Sequence, residues 1–241
     1  GEDCNITSLT LEQLEAVNQI AKSQETDEQK DFLIHGVTSS GKTEVYMQII
    51  KKAVDQGKTA IMLVPEIALT TQVIDRFINR FGKDTIAVLH SKLTKRERFD
   101  EWIRIRNGKA KIVIGARMAV FAPLSNIGVI ILDEEHETTY KSNQTPRYET
   151  VDVALKRLMF YSGILILGSA TPSVVSYQRA KEGIYQLIEL KERYNKVPLP
   201  QIELVDMREE LKSGNQTVFS RKLYSKIVQC LEGKKQIILF L

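Results

Sequence analysis

The stretch GVTSSGKT, Gly36 to Thr43, sits between an apolar run, DFLIH, and an amphipathic one, EVYMQIIKKAV. It fits the pattern G-x-x-x-x-G-K-[ST], in which a loop leaving a strand turns its backbone N–H groups inward at the start of a helix. Such a loop cradles phosphates, because the unpaired amides and the helix dipole both favour negative charge. On that chemistry Gly36, Val37, Thr38, Ser39, Ser40 and Gly41 supply the cradle. Lys42 would reach the β- and γ-phosphates of ATP, and Thr43 would hold Mg²⁺. A chain with this element must build a strand–loop–helix unit, and the rest of the sequence repeats that rhythm.

Short apolar runs recur at 31–36, 59–64, 85–90, 111–115, 129–133 and 163–168. Amphipathic helical patterns over 43–56, 68–81 and 94–107 lie among them. Such alternation predicts parallel strands buried on both faces. The fold class is therefore α/β, with a mostly parallel, doubly wound sheet. Upstream, TSLTLEQLEAVNQIAKS predicts a helix with Thr10 as N-cap and Gln13 completing a capping box. After Ile184 the texture changes. YNKVPLPQIELVDM holds two prolines and predicts an edge strand or a linker, since residues before proline favour extended backbone. The last stretch, SRKLYSKIVQCLEGKKQIILFL, predicts one helix and one very apolar strand. A strand with no partner behind it reads as the truncated start of a second domain, with boundaries at 1–205 and 206–241. Its open edges make a swapped dimer the alternative to a monomer.

At 129–141, VIILDEEHETTYK ends a buried strand on Asp133, Glu134, Glu135 and His136. Adjacent carboxylates repel and lose solvation when buried, so a positive partner is required. The phosphate loop supplies one. Asp133 would hold the same Mg²⁺ through water, and Glu134 would take a proton from an attacking water. His136 would sense the γ-phosphate or a neighbouring loop. A zinc-protease reading fails because HETTY lacks the second histidine of H-E-x-x-H. A glycosidase carboxylate pair would leave the phosphate loop unexplained. GSATP at 168–172 has no G-x-S-x-G elbow, so a serine nucleophile is not indicated. His35 and His90 end predicted strands and read as structural.

Composition narrows the setting. Apolar residues at 43% and charged residues at 27% suit a globular protein with a sizeable core. No apolar run approaches the length of a membrane-spanning helix, and the acidic start GEDCNITS is unlike a signal peptide. The two cysteines, Cys4 and Cys230, exclude a cysteine-rich zinc site and a disulfide framework within the chain. They point to a reducing, cytoplasmic home. The net charge of +4 decides little, but residues 92–111 carry eight bases against three acids. That run is either a solvated helix face or a surface that meets phosphates.

A phosphate loop followed by D-E-x-H and then SAT resembles the first RecA-like motor domain of superfamily 2 DExH helicases. More particular are FLIHGVTSSGKTEVYM, LVPEIALTTQ, VLHSKLTKRERFDEWIRIRNGKAKIVIGARMAVFAPL, PRYETVDVAL, LGSATPS and LPQIELVDMR. Together they resemble the primosomal protein N′ (PriA) family of bacterial replication-restart DNA helicases, from about residue 8 to residue 241. The resemblance implies a RecA-like P-loop NTPase domain followed by the start of a second RecA-like lobe. It implies an ATP-dependent 3′-to-5′ DNA helicase acting in primosome assembly at stalled or repaired forks. Gln13 falls where such helicases read the adenine. Thr70, Gln72 and Arg117 fall where they grip the backbone of the tracking strand. Tyr140, Lys141, Arg147 and Tyr148 lie in a stretch like the aromatic-rich loop that senses single-stranded DNA; taken alone, it reads as a surface turn with two tyrosines. Ser169 and Thr171 would couple nucleotide state to DNA movement.

Some features depart from the family. Ser39 stands where glycine is usual, so a positive φ there would strain it. GARMAVF replaces GTRSALF and lacks one hydroxyl that could touch phosphate. The family's N-terminal DNA-binding regions, its zinc-binding cysteines and the second lobe with its arginine finger do not occur in this stretch. Zinc is therefore expected in the parent and not in this chain. The chain alone is expected to bind Mg-ATP and to hydrolyse it poorly. Implied partners are single-stranded and forked DNA and, for the parent, single-stranded DNA-binding protein and primosome or helicase-loading proteins. One rival is another superfamily 2 motor, for branch migration or RNA. A second is a non-hydrolysing nucleic-acid-binding module, against which the intact Lys42, Thr43, Asp133 and Glu134 argue.

Overall fold

The structure, a computed structural model, describes residues 9–25, 31–193 and 201–240. Helix α1 (Leu11–Glu25) leads into strand β1 (Asp31–Gly36), helix α2 (Lys42–Asp55) and strand β2 (Thr59–Leu63). The alternation continues through α3 (Thr71–Phe81), β3 (Ile86–Leu89), α4 (Lys95–Arg106), β4 (Ile112–Gly115) and β5 (Ile127–Asp133). A small antiparallel pair, β6 (Lys141–Ser142) and β7 (Tyr148–Glu149), precedes α5 (Thr150–Met159), β8 (Ile164–Ser169), α6 (Val174–Lys181) and β9 (Tyr185–Leu190). Seven strands form one sheet in the order β3-β4-β2-β5-β8-β1-β9, every neighbouring pair parallel.

The central strands bury both faces, which is why they read as continuous apolar runs. Phe32, Ile34, Val129, Ile131, Ile164 and Ile166 enter one core cluster, with Ile20 of α1, Ile50 of α2 and Phe77 of α3. Their neighbours Leu33, Ile130, Leu132, Leu165 and Leu167 enter the other, with Ile105 of α4 and Leu158 of α5. Alternate side chains thus feed opposite helical layers, and the doubly wound sheet expected from the sequence is present. The capping box of α1 is also formed. The Gln13 N–H donates to Thr10 Oγ1 at 3.3 Å, and the Thr10 N–H to Gln13 Oε1 at 3.0 Å.

Two features differ from the sequence expectations. Strand β9 adds an edge next to β1, where the alternating run YQLIEL was not read as a strand. The described part of the closing run QIILFL, residues 236–240, carries no regular structure. A strand persists only when its N–H and C=O groups find a ladder, and among the described residues none pairs with this run. Leu241, Cys4, Pro198 and Pro200 lie outside the described residues. Residues 201–206 carry no regular structure, as a linker would.

By packing, the chain separates into two units, Gly1–Lys196 and Val197–Leu241. In the second, Asp206 caps α7 (Met207–Lys212) and Ser220 caps α8 (Arg221–Glu232). Glu210 of α7 accepts from Asn215 Nδ2 at 2.7 Å and from the Arg221 N–H at 3.0 Å. Among the described residues no helix is long and apolar enough to cross a membrane.

Candidate active site

In an open parallel sheet, ligands gather where the C-terminal ends of strands meet helix N-termini. Here β8 lies between β1 and β5, so the loop after β1 and the acids after β5 are separated by one strand. The chain turns from β1 through 37–41 into α2. Gly41 is the N-cap at φ 81°, and no side chain caps the helix. Its first amides are therefore open to an anion. A Cβ on Gly36 would meet the Ser40 hydroxyl and the Lys42 stem, and one on Gly41 would meet the Gln13 amide. Ser39 adopts φ 66°, the left-handed region that serine enters at a cost.

Lys42, nearly buried, donates to the Gly36 carbonyl at 2.9 Å and lies 4.0 Å from Glu134 Oε1. Gln13, fully buried, donates from Nε2 to the Ser40 carbonyl at 2.9 Å. A cavity of about 350 Å³ opens between Gln13, the loop, Arg76, Asp133 and Glu134.

Asp133 is held twice. The Tyr46 hydroxyl of α2 donates to its Oδ1 at 3.0 Å, and the Tyr140 hydroxyl to its main-chain carbonyl at 2.7 Å. Burial pushes the Asp133 carboxyl above the usual range and the Glu134 carboxylate adds to this; the Tyr46 bond and Lys42 oppose it. Burial, and then Asp133, push both phenols upward as well. Glu134 turns at φ 48°, a left-handed conformation at the point where the strand gives way. His136 Nδ1 lies 2.7 Å from Ser169 Oγ and 3.7 Å from Glu134 Oε2. Ser169 Oγ also accepts from the Thr171 N–H at 2.9 Å, so one chain of contacts joins the acids to the end of β8.

Only two of the three adjacent carboxylates face the loop. Glu135 is 8% exposed and turns to the start of α6. It accepts from the Ser173 N–H at 2.6 Å, Ser173 Oγ at 3.1 Å and Ser176 Oγ at 2.8 Å. A helix N-terminus compensates it, not Lys42 and a cation. This corrects the expectation that the phosphate loop answers for the whole acidic cluster.

Several site positions escaped the sequence reading. Glu44, buried beside Thr43, pairs with Arg76 at 3.3 Å and Arg80 at 3.5 Å, and Arg76 reaches the cavity wall. The available signal was two arginines four apart on α3, which must share a face. Tyr46 was hidden inside an amphipathic pattern. Its one signal was Gly168, where a Cβ would collide with the Tyr46 hydroxyl.

The residues expected to meet DNA are more scattered. Thr70 caps α3, accepting from the Val73 N–H at 3.4 Å, and Gln72 is exposed in the first turn of that helix. Arg147 is exposed, and Lys141 is exposed but paired with Glu149 at 3.0 Å. The Arg117 guanidinium is committed. Its Nη1 donates to the carbonyls of Thr139 at 3.2 Å and Lys141 at 2.7 Å, and its carbon lies 5.8 Å from the Tyr148 ring centre. Tyr148, half-buried, also stands edge-on to Phe121 at 5.2 Å. Tyr140 has a different part from the one expected. At 4% exposure it has no open ring face for a base, and its hydroxyl serves Asp133.

The residues suit a Mg²⁺-bound nucleotide. The Ser40 hydroxyl is buried without a partner at the phosphate loop, and burial, with Glu134 beside it, raises the Asp133 carboxyl, which a cation would oppose. Among the described residues no three or more His, Cys, Asp or Glu side chains could hold a metal alone. A cation at Thr43 and Asp133 would thus take its other ligands from phosphate and water, as Mg²⁺ commonly does.

The DEAD/DEAH box helicase family matches residues 10–180. The Replication restart protein PriA of Bacillus subtilis is 49% identical over 97% of this chain. Proteins of that name from Synechocystis and Chlamydia muridarum are 46% and 43% identical, over 87% and 97% of it. The chain spans 29%, 26% and 31% of the lengths of these three relatives. Among solved structures, RecG bound to a three-way DNA junction gives a TM-score of 0.56 at 23% identity, over 76% of this chain and 24% of that one. The Hef helicase domain of Pyrococcus furiosus gives 0.52 at 20%, over 76% and 38%. At such identities the two structures speak for the fold alone. The resemblance read from the motifs is met by relatives along nearly the whole chain, and the chain belongs to the DEAD/DEAH box helicase family.

Proposed function

We propose that this chain is the ATP-binding motor lobe of a replication-restart DNA helicase, moving 3′ to 5′ on single-stranded DNA at stalled or repaired forks. One observation carries the reading. Helix α2, which starts at the phosphate loop, is bonded through Tyr46 to Asp133, with Lys42 and Glu134 4.0 Å apart in the same cavity. Replication restart rests on the resemblance and on the relatives' names.

On this reading the amides of 37–41 and Lys42 hold the phosphates. Gln13, with one amide proton and one lone pair uncommitted, suits the adenine edge. Thr43 and Asp133 hold Mg²⁺, which supplies positive charge to the phosphates. Glu134 orients the attacking water and accepts its proton, while His136 holds Glu134 and Ser169 in one network. Ser169 and Thr171 relay nucleotide state to the DNA side. There Thr70, Gln72, Lys141, Arg147 and Tyr148 meet the strand, and Arg117 holds their loop. The chain beyond residue 205 begins the second lobe, whose arginine finger is needed for fast turnover. In the whole protein, zinc, single-stranded DNA-binding protein and helicase-loading proteins join it in the bacterial cytoplasm.

The test is ATP turnover with Mg²⁺ by this chain and by a version extended through the second lobe, each with forked DNA, RNA or neither. Strong stimulation by forked DNA in the extended protein alone is expected. Stronger stimulation by RNA, or turnover in neither protein, would remove the assignment.

A further inference from the structure

A second cavity, of about 730 Å³, lies at the C-terminal ends of β2, β3 and β4, away from the phosphate loop. That volume is within the range of small-molecule sites. Its walls combine ring faces with cations: Trp102 and Arg98 of α4, Met118 and Phe121 after β4, Arg117, and Lys141. Trp102 is 37% exposed and Phe121 39%, so both rings keep open area toward the cavity side of the molecule. Helix α4 sends only Ile105 fully into the core. Arg104, its neighbour in the basic run, is used up on Glu101 and on the carbonyls of Lys83 and Asp84. Among the described residues Arg98 makes no such bond. The Arg117 Nε is buried without a partner beside the cavity.

Rings and guanidinium groups in one positively charged concavity are the means by which proteins take unstacked bases from a single strand. A peptide strand would want an open sheet edge, and of the edge strand β3 only Leu89 lines the cavity. The wall at Val64, Pro65 and Glu66 belongs to the stretch that leads to Thr70, proposed above to meet the strand. We infer that this cavity receives an unstacked nucleobase of the bound single strand, with Trp102 as the stacking face and Arg98 holding a flanking phosphate. The inference rests on the DNA reading above and adds Trp102, Phe121 and Arg98 to the residues that contact the strand.

Trp102 is the sole tryptophan of the chain, so it reports on its own cavity. Titrating the intact chain with an oligothymidylate should quench its emission saturably. An abasic strand of equal length keeps the phosphates but should bind roughly 5- to 150-fold more weakly and leave emission unchanged. Trp102→Ala should lose a similar factor toward the thymidine strand and none toward the abasic one. Thermal melting checks the variant's fold, and the abasic comparison on the unaltered chain decides the matter if the variant fails to fold. Equal affinity for both strands by anisotropy, without quenching, overturns the cavity assignment and leaves the DNA reading intact. Binding of neither strand overturns both. Quenching by an acidic peptide but not by oligothymidylate makes the cavity a protein-docking site and also overturns the inference.

Discussion

The Tyr140 hydroxyl reaches the main-chain carbonyl of Asp133 at 2.7 Å, while Arg117 binds the carbonyls on either side of Tyr140, at Thr139 and Lys141. The loop around Tyr140 is therefore tied by one phenol to the backbone of Asp133. Removing a donor from a buried acceptor costs about 1–3 kcal/mol. Tyr140→Phe should lower the unfolding free energy by that amount in urea titrations, although the ring is retained. Unchanged stability would show that the ring alone accounts for the tyrosine.

Glu134 and Glu135 are adjacent but serve different masters. Glu135→Ala strips three hydrogen bonds from the start of α6. It should cost about 1–3 kcal/mol of stability while fluorescent-nucleotide affinity is unchanged. Glu134→Gln should leave stability and nucleotide affinity near their original values and abolish residual turnover. The reverse pattern, with Glu135→Ala stable but unable to bind nucleotide, would return Glu135 to the active site.

At φ 66°, Ser39 occupies backbone that costs an ordinary residue about 1–2 kcal/mol, against about 0.5–1 kcal/mol of extra chain entropy for glycine. Ser39→Gly should stabilise the chain by about 0.5–1 kcal/mol. Gly41→Ala, at φ 81° and against Gln13, should destabilise it by more. Calorimetric melting of the two variants distinguishes these directions, and a destabilised Ser39→Gly would mean that the serine side chain outweighs its strain.

The Asp133 carboxyl is raised in the fold by burial and by Glu134. Folding therefore favours its neutral form. Its contribution to stability is full below the unfolded-chain value and is lost as pH climbs through the raised folded value. Asp133→Asn should remove this loss and raise the melting temperature at neutral pH in Mg²⁺-free buffer, while abolishing Mg²⁺-dependent nucleotide affinity. Parallel melting profiles for the two proteins from about pH 4 to about pH 8 would contradict this account.

The sheet was legible because each central strand is a doubly buried apolar run, as in VIILD and ILILG, and the phosphate loop because its chemistry is local to eight residues. Less could be read where a role depends on distant partners. Tyr46 and Tyr140 look alike in sequence to any core or surface tyrosine, and only the folded sheet brings both to Asp133. Glu135 could not be separated from Glu134 because the residues that bind it lie beyond β8, 38 and 41 positions away. The two-residue strands β6 and β7 are too short to show any period. The apolar run at the end shows the limit of that signal: hydrophobicity alone does not make a strand without a ladder to join.

Tyr46 sits on the helix that begins at the phosphate loop and bonds the carboxylate at the end of β5. The two halves of the nucleotide site are thereby preorganised within the folded chain. Their ordering entropy is charged to folding and not to association, so a nucleotide meets a finished cleft. Affinity should accordingly be set by the phosphate contacts themselves, with a small heat-capacity change on binding and an association rate close to that of a rigid receptor.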